Sequence, residues 1–284
     1  RTSEEALAEL EKARIPAGPV YSPQQALDDP HIKAMNYLKP VDFPGLPGPA
    51  PIMETPLRLS RSPGTLRERA PVRFNYRGHE IVTAPLPSAG GLALQQVLQT
   101  LEVLDWPPTD GAQARHQLVE SLRYAYRDRA IYLGDADFVR IPLQQLGSRE
   151  YARELAASIG VRARASDSFD IDSLQAQRAA GKTDGQTTHF SVIDDEGNRV
   201  ASTLTINTWF GSGYMPPGTG VMLNNEMDDF ATAPLVPNAF GLIHTESNAI
   251  QPHKRPLSSM TPTFVTGPRG VLILGTPGGS RIIT

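Results

Sequence analysis

The sequence predicts an α+β fold that follows an irregular, proline-rich segment. Twelve of the 26 prolines lie in the first 71 of the 284 positions, which is too dense for long helices or central strands. After that point, stretches with helical periodicity come first, and strand patterns separated by turn residues come later.

The composition excludes several classes of protein. Hydrophobic residues make up 39% and charged residues 20%, as in an ordinary globular chain. The formal net charge of -3 argues against binding to nucleic acid or to an anionic membrane. No apolar run is long enough to span a bilayer, and residues 1–5 do not resemble a signal peptide. The absence of cysteine excludes disulfides, thiolate metal sites and a cysteine nucleophile.

Two short helices are predicted in the proline-rich segment. The first runs from Ser3, as its cap, to Arg14. The second begins at Ser22-Pro23 and ends at Asp29-Pro30. Residues 39–70 contain too many prolines for a central strand or a long helix.

Three longer helices are predicted between positions 88 and 160. Ser88 caps the first helix, the second runs from Asp110 to Leu133 before Gly134, and Ser148 caps the third. Residues 161–185 are small and polar and predict a loop. The predicted buried stripes are Leu94, Val97, Leu98, Leu101 and Leu104 on the first helix and Ala114, Leu118, Leu122 and Ala125 on the second.

Strand patterns occur in three pairs, each with turn residues between its members. The pairs are predicted at 73–82 around Arg77-Gly78, at 189–193 with 200–207, and at 262–266 with 271–274.

A threonine string lies where the polar loop meets the first strand of the second hairpin. By itself Gln186-Thr187-Thr188-His189 predicts only the start of a strand. Polar and glycine-rich strings follow downstream, at 204–208, 223–230, 254–260 and 275–281.

Together these strings resemble the γ-glutamyltransferase family over residues 72–284. The strings at 85–91 and 126–135 look like the end of the large subunit of that family. The resemblance implies an N-terminal-nucleophile (Ntn) hydrolase αββα sandwich, incomplete at its edges. It also implies that residues 72–186 end the large subunit and that 187–284 begin a truncated small, catalytic subunit.

The first 71 residues resemble a different family. The strings at 14–21, 29–31 and 56–64 are similar to the C-terminal end of a class III CoA-transferase. The nucleophilic aspartate of that family lies upstream of this stretch, so residues 1–71 are interpreted as a remnant without catalytic residues.

The chemistry of an N-terminal threonine follows from its two functional groups. A threonine hydroxyl is a poor nucleophile and needs an adjacent base. If the bond between Gln186 and Thr187 is cut, the new α-amine, with a pKa near about 8, can accept the hydroxyl proton. The resemblance implies that the chain makes this cut itself and that Thr187 is the nucleophile.

The resemblance assigns further roles around Thr187. Thr205 orients the nucleophile, and the backbone amides of Gly278 and Gly279 form the oxyanion hole. The remaining predicted site residues bind the substrate's α-ammonium group (Asn207, Glu226 and Asp229) and its α-carboxylate (Ser258 and Ser259).

Arginine and histidine side chains are further candidates for this site. No arginine matches the motif of the family's carboxylate-binding arginine, although Arg73 or Arg77 could replace it. His189 lies on the same strand face as Thr187, but its spacing favours a packing role. No histidine pair has metal-ligand spacing, and neither a metal nor a cofactor is expected.

The predicted activity is γ-glutamyl transfer or hydrolysis. The expected substrate is a γ-glutamyl amide such as glutathione, and the acceptor is an amino acid, a peptide or water. Self-cleavage would give a heterodimer of large and small subunits, in the periplasm or outside the cell, with the export signal absent from this chain. The alternatives are a non-catalytic fusion fragment, a CoA-transferase, and acylation chemistry on a β-lactam side chain, which would share Thr187 and differ in the pocket.

Overall fold

The computed structural model describes residues 2–13, 25, 28–35, 38–42, 47–53, 69–165, 187–217, 221–238, 240–279 and 282–283. They belong to two compact units, Arg1–Ala70 and Pro71–Thr284. The predicted helix start at Ser22-Pro23 and most of the predicted loop at 161–185 lie outside the described residues. The division between residues 186 and 187 stays a prediction.

The first unit contains short elements. Helix α1 spans Ser3–Lys12, helix α2 spans Pro30–Met35, and strands β1 (Leu38–Val41) and β2 (Ala50–Met53) pair antiparallel. Pro40 lies opposite Pro51 in this pair, as a two-stranded sheet allows because both strands are edges.

The cap predicted for α1 needs correction. Thr2, rather than Ser3, caps α1: its Oγ1 accepts from the Glu5 amide at 3.2 Å, and its own amide donates to the Glu5 carboxylate at 3.0 Å. The predicted helix end at Asp29-Pro30 agrees with the structure: Asp28 is helical, Asp29 is not, and Pro30 begins the next helix, because the φ fixed by its ring suits the first helical position.

A four-stranded antiparallel sheet organises the second unit. Strands β3 (Val72–Tyr76), β4 (His79–Thr83), β7 (Thr263–Gly267) and β8 (Gly270–Leu274) follow one another in that order. Strands β5 (Thr187–Ile193) and β6 (Arg199–Thr205) form a separate antiparallel hairpin. All three predicted hairpins are therefore confirmed.

In the described residues between β4 and β5, the chain forms four helices. They are α3 (Gly90–Val103), α4 (Gly111–Tyr132), α5 (Leu143–Leu146) and α6 (Arg149–Ser158), of which α5 was not predicted. The side chain of Ser148 accepts from the Tyr151 amide, which confirms the predicted cap, and the side chain of Asp110 accepts from the Ala112 amide at the predicted start of α4.

The cap predicted for α3 is wrong. Ala89 occupies the cap position in a helical conformation, and its side chain makes no capping hydrogen bond. Ser88 lies one residue earlier, where its Oγ accepts from the Gly90 amide at 3.2 Å and donates to the Met260 carbonyl. Ser88 therefore joins the start of α3 to the segment that precedes β7.

The apolar core lies between α3, α4 and the chain around them. Val97, Leu101 and Ala125 of the predicted stripes are buried. The other stripe residues keep partial exposure, and Leu118 and Leu122 pack against the core. The buried members of this core are Leu86, Ala89, Leu92, Ala93, Val97, Leu101, Ala125, Leu133, Leu146, Leu257 and Ile283.

Helix α4 also buries polar side chains. Asp128 is 1% exposed, accepts from Gln96 of α3 at 2.9 Å and accepts from the Tyr151 hydroxyl of α6 at 2.8 Å. Arg127 completes this network with a hydrogen bond of 2.7 Å to Asp128. Such a network fixes three helices against one another because each buried polar group needs a partner. In the described ranges, no helix is long and apolar enough to cross a membrane.

Candidate active site

Thr187 and Thr205 face each other at the open end of the β5–β6 hairpin. The strand register places them opposite one another, and their hydroxyl oxygens are 3.4 Å apart. The Thr205 Oγ1 also accepts from the Asn207 amide at 2.8 Å. This second hydrogen bond holds the Thr205 hydroxyl in place beside Thr187.

The threonine pair lines a pocket that gathers residues from distant parts of the second unit. Seven of the nine predicted site residues line it, whereas Glu226 and Gly278 do not. The lining residues are Arg129, Thr187, Thr205, Asn207, Asp229, Phe240, Leu242, Ser258, Ser259, Met260, Gly279 and Ile282.

Asn207 and the acidic turn form one side of this pocket. Asn207 follows β6 with a left-handed φ of 79° and donates from Nδ2 to the Asn225 carbonyl at 3.0 Å. Glu226–Asp229 is a 3-10 turn, and the Asn248 side chain donates to the Asp229 carbonyl at 2.7 Å. Both loops are thus held by side-chain amides.

Burial dominates the ionisation of the two acids. It raises the pKa of Glu226, and the negative charge of Asp229 raises it further. Burial also raises the pKa of Asp229, while a hydrogen bond to Glu226 and the positive charge of Arg129 act in the opposite direction. A cationic ligand group would relieve this repulsion, so the turn suits an ammonium group.

The two serines of the pocket lie beside the start of helix α3. The Ser258 amide donates to Pro87 at 2.9 Å, and its carbonyl accepts from Ala89 at 2.9 Å. These backbone bonds tie the serine pair to the N-terminal end of α3. The Ser259 Oγ accepts from Nη2 of Arg129 at 3.2 Å.

Gly278 and Gly279 have positive φ angles of 146° and 56°. Few residues with a side chain adopt these conformations, so glycine is required by the backbone itself. Gly279 lines the pocket, where successive amides can approach a ligand oxygen without an intervening side chain.

Arg129 is the charged pocket residue that sequence reasoning missed. The suggested replacements are elsewhere: Arg73 pairs with Glu80 at 3.4 Å on the surface, and Arg77 bonds Glu102 through its amide at 2.9 Å. A signal was present, because Arg129 follows Ala125 by four positions and so continues the buried stripe of α4. A charged residue on a buried stripe indicates a partner or a ligand.

His189 makes contacts along its own hairpin. Its Nδ1 is 2.8 Å from the Thr203 hydroxyl, and its Nε2 is 3.1 Å from the Ser191 hydroxyl. A Cβ on Gly275 would lie 2.0 Å from the His189 ring, so glycine is needed for this approach. These contacts favour the predicted packing role. Within the described part of the chain, no cluster of His, Asp and Glu could hold a metal ion.

Comparison with known proteins identifies the family. The Gamma-glutamyltranspeptidase family model matches residues 65–284. The chain belongs to this family. The CoA-transferase family III model matches residues 1–73, so both predicted resemblances are confirmed.

Curated relatives agree with this assignment. The glutathione hydrolase proenzyme of Pseudomonas sp. (strain A14) is 46% identical over 223 residues, which is 77% of this chain and 38% of that protein. The glutathione hydrolase proenzyme of Escherichia coli (strain K12) is 44% identical over 220 residues, which is 76% of this chain and 37% of that protein. The chain therefore spans less than two-fifths of the length of either relative.

A solved structure supports the fold. The cephalosporin acylase from Bacillus halodurans superimposes with a TM-score of 0.56 and 24% identity, over 74% of this chain and 34% of that chain. This likeness confirms the predicted Ntn-hydrolase fold class.

Proposed function

We propose that this chain carries the catalytic part of a γ-glutamyltransferase, with Thr187 as its nucleophile. The main observation behind this proposal is the position of Thr187, the first residue of β5. Its hydroxyl oxygen lies 3.4 Å from that of Thr205, and Thr187 lines a pocket that also contains Asp229 and the serine pair. The family match over residues 65–284 supports the same chemistry.

The proposed reaction begins with self-cleavage. Hydrolysis of the bond between Gln186 and Thr187 consumes one water molecule, leaves a carboxylate on Gln186 and gives Thr187 a free α-amine, which then accepts the proton of the Thr187 hydroxyl. The Thr187 oxygen then attacks the acyl carbon of a γ-glutamyl amide. The backbone amides of Gly278 and Gly279 stabilise the negative charge that develops on the acyl oxygen.

The second half of the reaction releases the acyl group. The amide C–N bond breaks, the leaving amine takes the proton from the Thr187 α-amine, and a γ-glutamyl ester remains on Thr187. Water or an acceptor amine then attacks this ester, giving glutamate or a new γ-glutamyl amide. The proposed substrate is glutathione or a similar compound, and the acceptor is an amino acid, a peptide or water.

The pocket favours a γ-glutamyl substrate over the side chain of a β-lactam. A γ-glutamyl group carries an α-ammonium and an α-carboxylate, and the pocket offers Asp229 for the first and Ser258 and Ser259 for the second. For residues 1–73, the CoA-transferase match brings no catalytic residue, and we propose no CoA chemistry there. A periplasmic or extracellular location and a two-subunit product of cleavage belong to the same proposal.

Self-cleavage is the decisive test. Incubated at neutral pH, the 284-residue chain is expected to give pieces of 186 and 98 residues on a denaturing gel, and Thr187→Ala is expected to stay whole. Thr205→Val removes the partner hydroxyl without changing the side-chain shape and should slow cleavage on the order of tenfold, the effect of one hydrogen bond.

A matched control lies on the same strand. Thr203→Val removes a hydroxyl that contacts His189 instead of Thr187, so its cleavage rate should stay close to wild type. A wild-type chain that remains intact would favour the non-catalytic fragment. Equal slowing by the Thr205 and Thr203 substitutions would contradict the orienting role of Thr205.

A further inference from the structure

Arg129 is a buried cation whose charge the described residues leave without an ion-pair partner. Its residue is 2% exposed, and its guanidinium lines the same pocket as Thr187, Asp229 and the serines. Within the described ranges, no carboxylate lies within salt-bridge distance of it, and its Nε has no hydrogen-bond partner. A buried charge is costly unless a partner or a ligand balances it.

The contacts of Arg129 orient one of the serines. Nη2 donates to the Ser259 Oγ at 3.2 Å, and Nη1 lies 3.2 Å from Nε2 of His244. Burial and the positive charge of Arg129 lower the pKa of His244 to about 3, so this nitrogen is neutral and accepts. Because the Ser259 oxygen accepts from Arg129, its own proton is left to be donated into the pocket.

Arg129 also acts on the acidic side of the pocket. Its positive charge opposes the effect of burial on Asp229 and favours the ionised carboxylate. The other charged groups facing Asp229 are Glu226 and Asp228, which both carry negative charge when ionised. Arg129 is therefore a positive group that acts on both Asp229 and Ser259.

We propose that Arg129 is a positioning residue for an α-amino acid group. It directs the Ser259 hydroxyl toward the α-carboxylate and keeps Asp229 charged for the α-ammonium group. The inference rests on the proposed function and deepens it, because it makes the pocket specific for a ligand that carries both charges. It also means that the positive charge near the bound α-carboxylate comes from a residue of α4.

The test is calorimetric binding of L-glutamate and of 4-aminobutanoate, which is glutamate without its α-carboxylate. Wild type should prefer L-glutamate. Arg129→Met should lower this preference about tenfold, as expected for a lost charge-assisted donor. It should also raise the pH at which L-glutamate binding is half-maximal by about one unit, because Asp229 loses an opposite charge.

Three further variants separate positioning from folding. Ser259→Ala should lower the carboxylate preference and leave the pH midpoint unchanged. Arg129→Lys keeps the positive charge but lacks the planar guanidinium group. Its pH midpoint should therefore be closer to wild type than its preference for L-glutamate over 4-aminobutanoate. Arg127→Met is the control: it removes a cation from the same helix, where Arg127 pairs with Asp128 and does not line the pocket, and it should change neither quantity.

The outcomes distinguish this inference from the proposed function. Wild-type preference and pH midpoint in Arg129→Met, or equal changes in Arg127→Met, would overturn the role of Arg129. If Arg129→Met does not fold, the other two variants decide. The role of Arg129 would be overturned if Ser259→Ala kept the preference for L-glutamate and Arg129→Lys kept both this preference and the pH midpoint of binding. A chain that cleaves itself but binds both ligands equally contradicts the inference alone. A chain that never cleaves yet prefers L-glutamate contradicts the proposed catalysis alone.

Discussion

Glu226 and Asp229 hold their carboxyl groups in one short turn, away from much of the solvent. Burial raises the pKa of both groups, and for Glu226 the charge of Asp229 adds to the effect. A carboxyl group with a raised pKa in the folded state binds its proton more tightly there than in the unfolded chain. Its contribution to stability is therefore present at low pH and is lost as the pH rises through the raised pKa.

The substitution Glu226→Gln tests this pH dependence. The amide cannot ionise, so the variant should match wild type below the usual carboxyl pKa of 4.5 and should have the higher free energy of unfolding above neutral pH. Urea denaturation at a series of pH values measures the difference. Asp228→Asn changes an exposed acid of the same turn and serves as the control. A gap between Glu226→Gln and wild type that does not vary with pH would contradict the argument.

Arg129 illustrates how one buried residue depends on its neighbours. Burial lowers its pKa to about 10, which still leaves it charged at neutral pH. The neutral His244 and the Ser259 hydroxyl supply acceptors for a group that would otherwise be buried without partners.

The start of helix α3 connects the candidate site to the apolar core. The N-terminal end of α3 packs against the end of β4 and against the segment that carries the serines. A Cβ on Gly91 would lie 2.1 Å from the carbonyl oxygen of Ala84, so α3 approaches the backbone too closely for any side chain. Gly111, at the start of α4, has only the Arg115 side chain nearby, at 3.6 Å.

These two glycines give a matched pair of substitutions. Gly91→Ala should lower the free energy of unfolding by about 1–3 kcal/mol or more, because backbone atoms must move. Gly111→Ala should raise it by up to about 1 kcal/mol, because alanine restricts the unfolded chain and favours the helix. Urea denaturation followed by circular dichroism measures both. Shifts of the same sign and size would mean that the approach of α3 to Ala84 is not limiting.

The whole molecule consists of two units with different characters. Among the described residues, the buried apolar side chains begin at Phe74, and the pocket residues begin at Arg129. In its described part, the first unit, Arg1–Ala70, contains the short helices α1 and α2, helical residues at positions 25 and 28, and one pair of strands. Core and candidate site therefore lie in the second unit.

Removal of residues 1–70 tests whether the second unit folds independently. Because the described core lies beyond that point, the shortened chain should keep its melting temperature within about 2 °C, a change of less than about 1 kcal/mol. Removal of residues 1–84 is the control, since it also deletes β3 and β4 and the buried Phe74 and Ile81. A large loss of stability on removing only residues 1–70 would show that the first unit supports the second.

Local chemistry explains which parts of the fold were predictable. The turn at Arg77-Gly78, the helix start at Asp110 and the cap at Ser148 each depend on residues within four positions, and the structure confirms all three predictions. The two caps that were predicted wrongly have different causes. Thr2 competes locally with Ser3 as a cap, while Ser88 is engaged by the distant Met260 carbonyl.

The candidate site divides in the same way. The residue types and order of the strings around Thr187, Asp229 and Ser258 sufficed to name the family and most of the pocket. Periodicity places Arg129 on the buried stripe of α4, four positions after Ala125, but it does not show which residues Arg129 meets there. Its partner Ser259 lies 130 positions away. Only packing of α4 against the segment before β7 brings the two together, since contacts over such separations depend on the complete core and not on local preference.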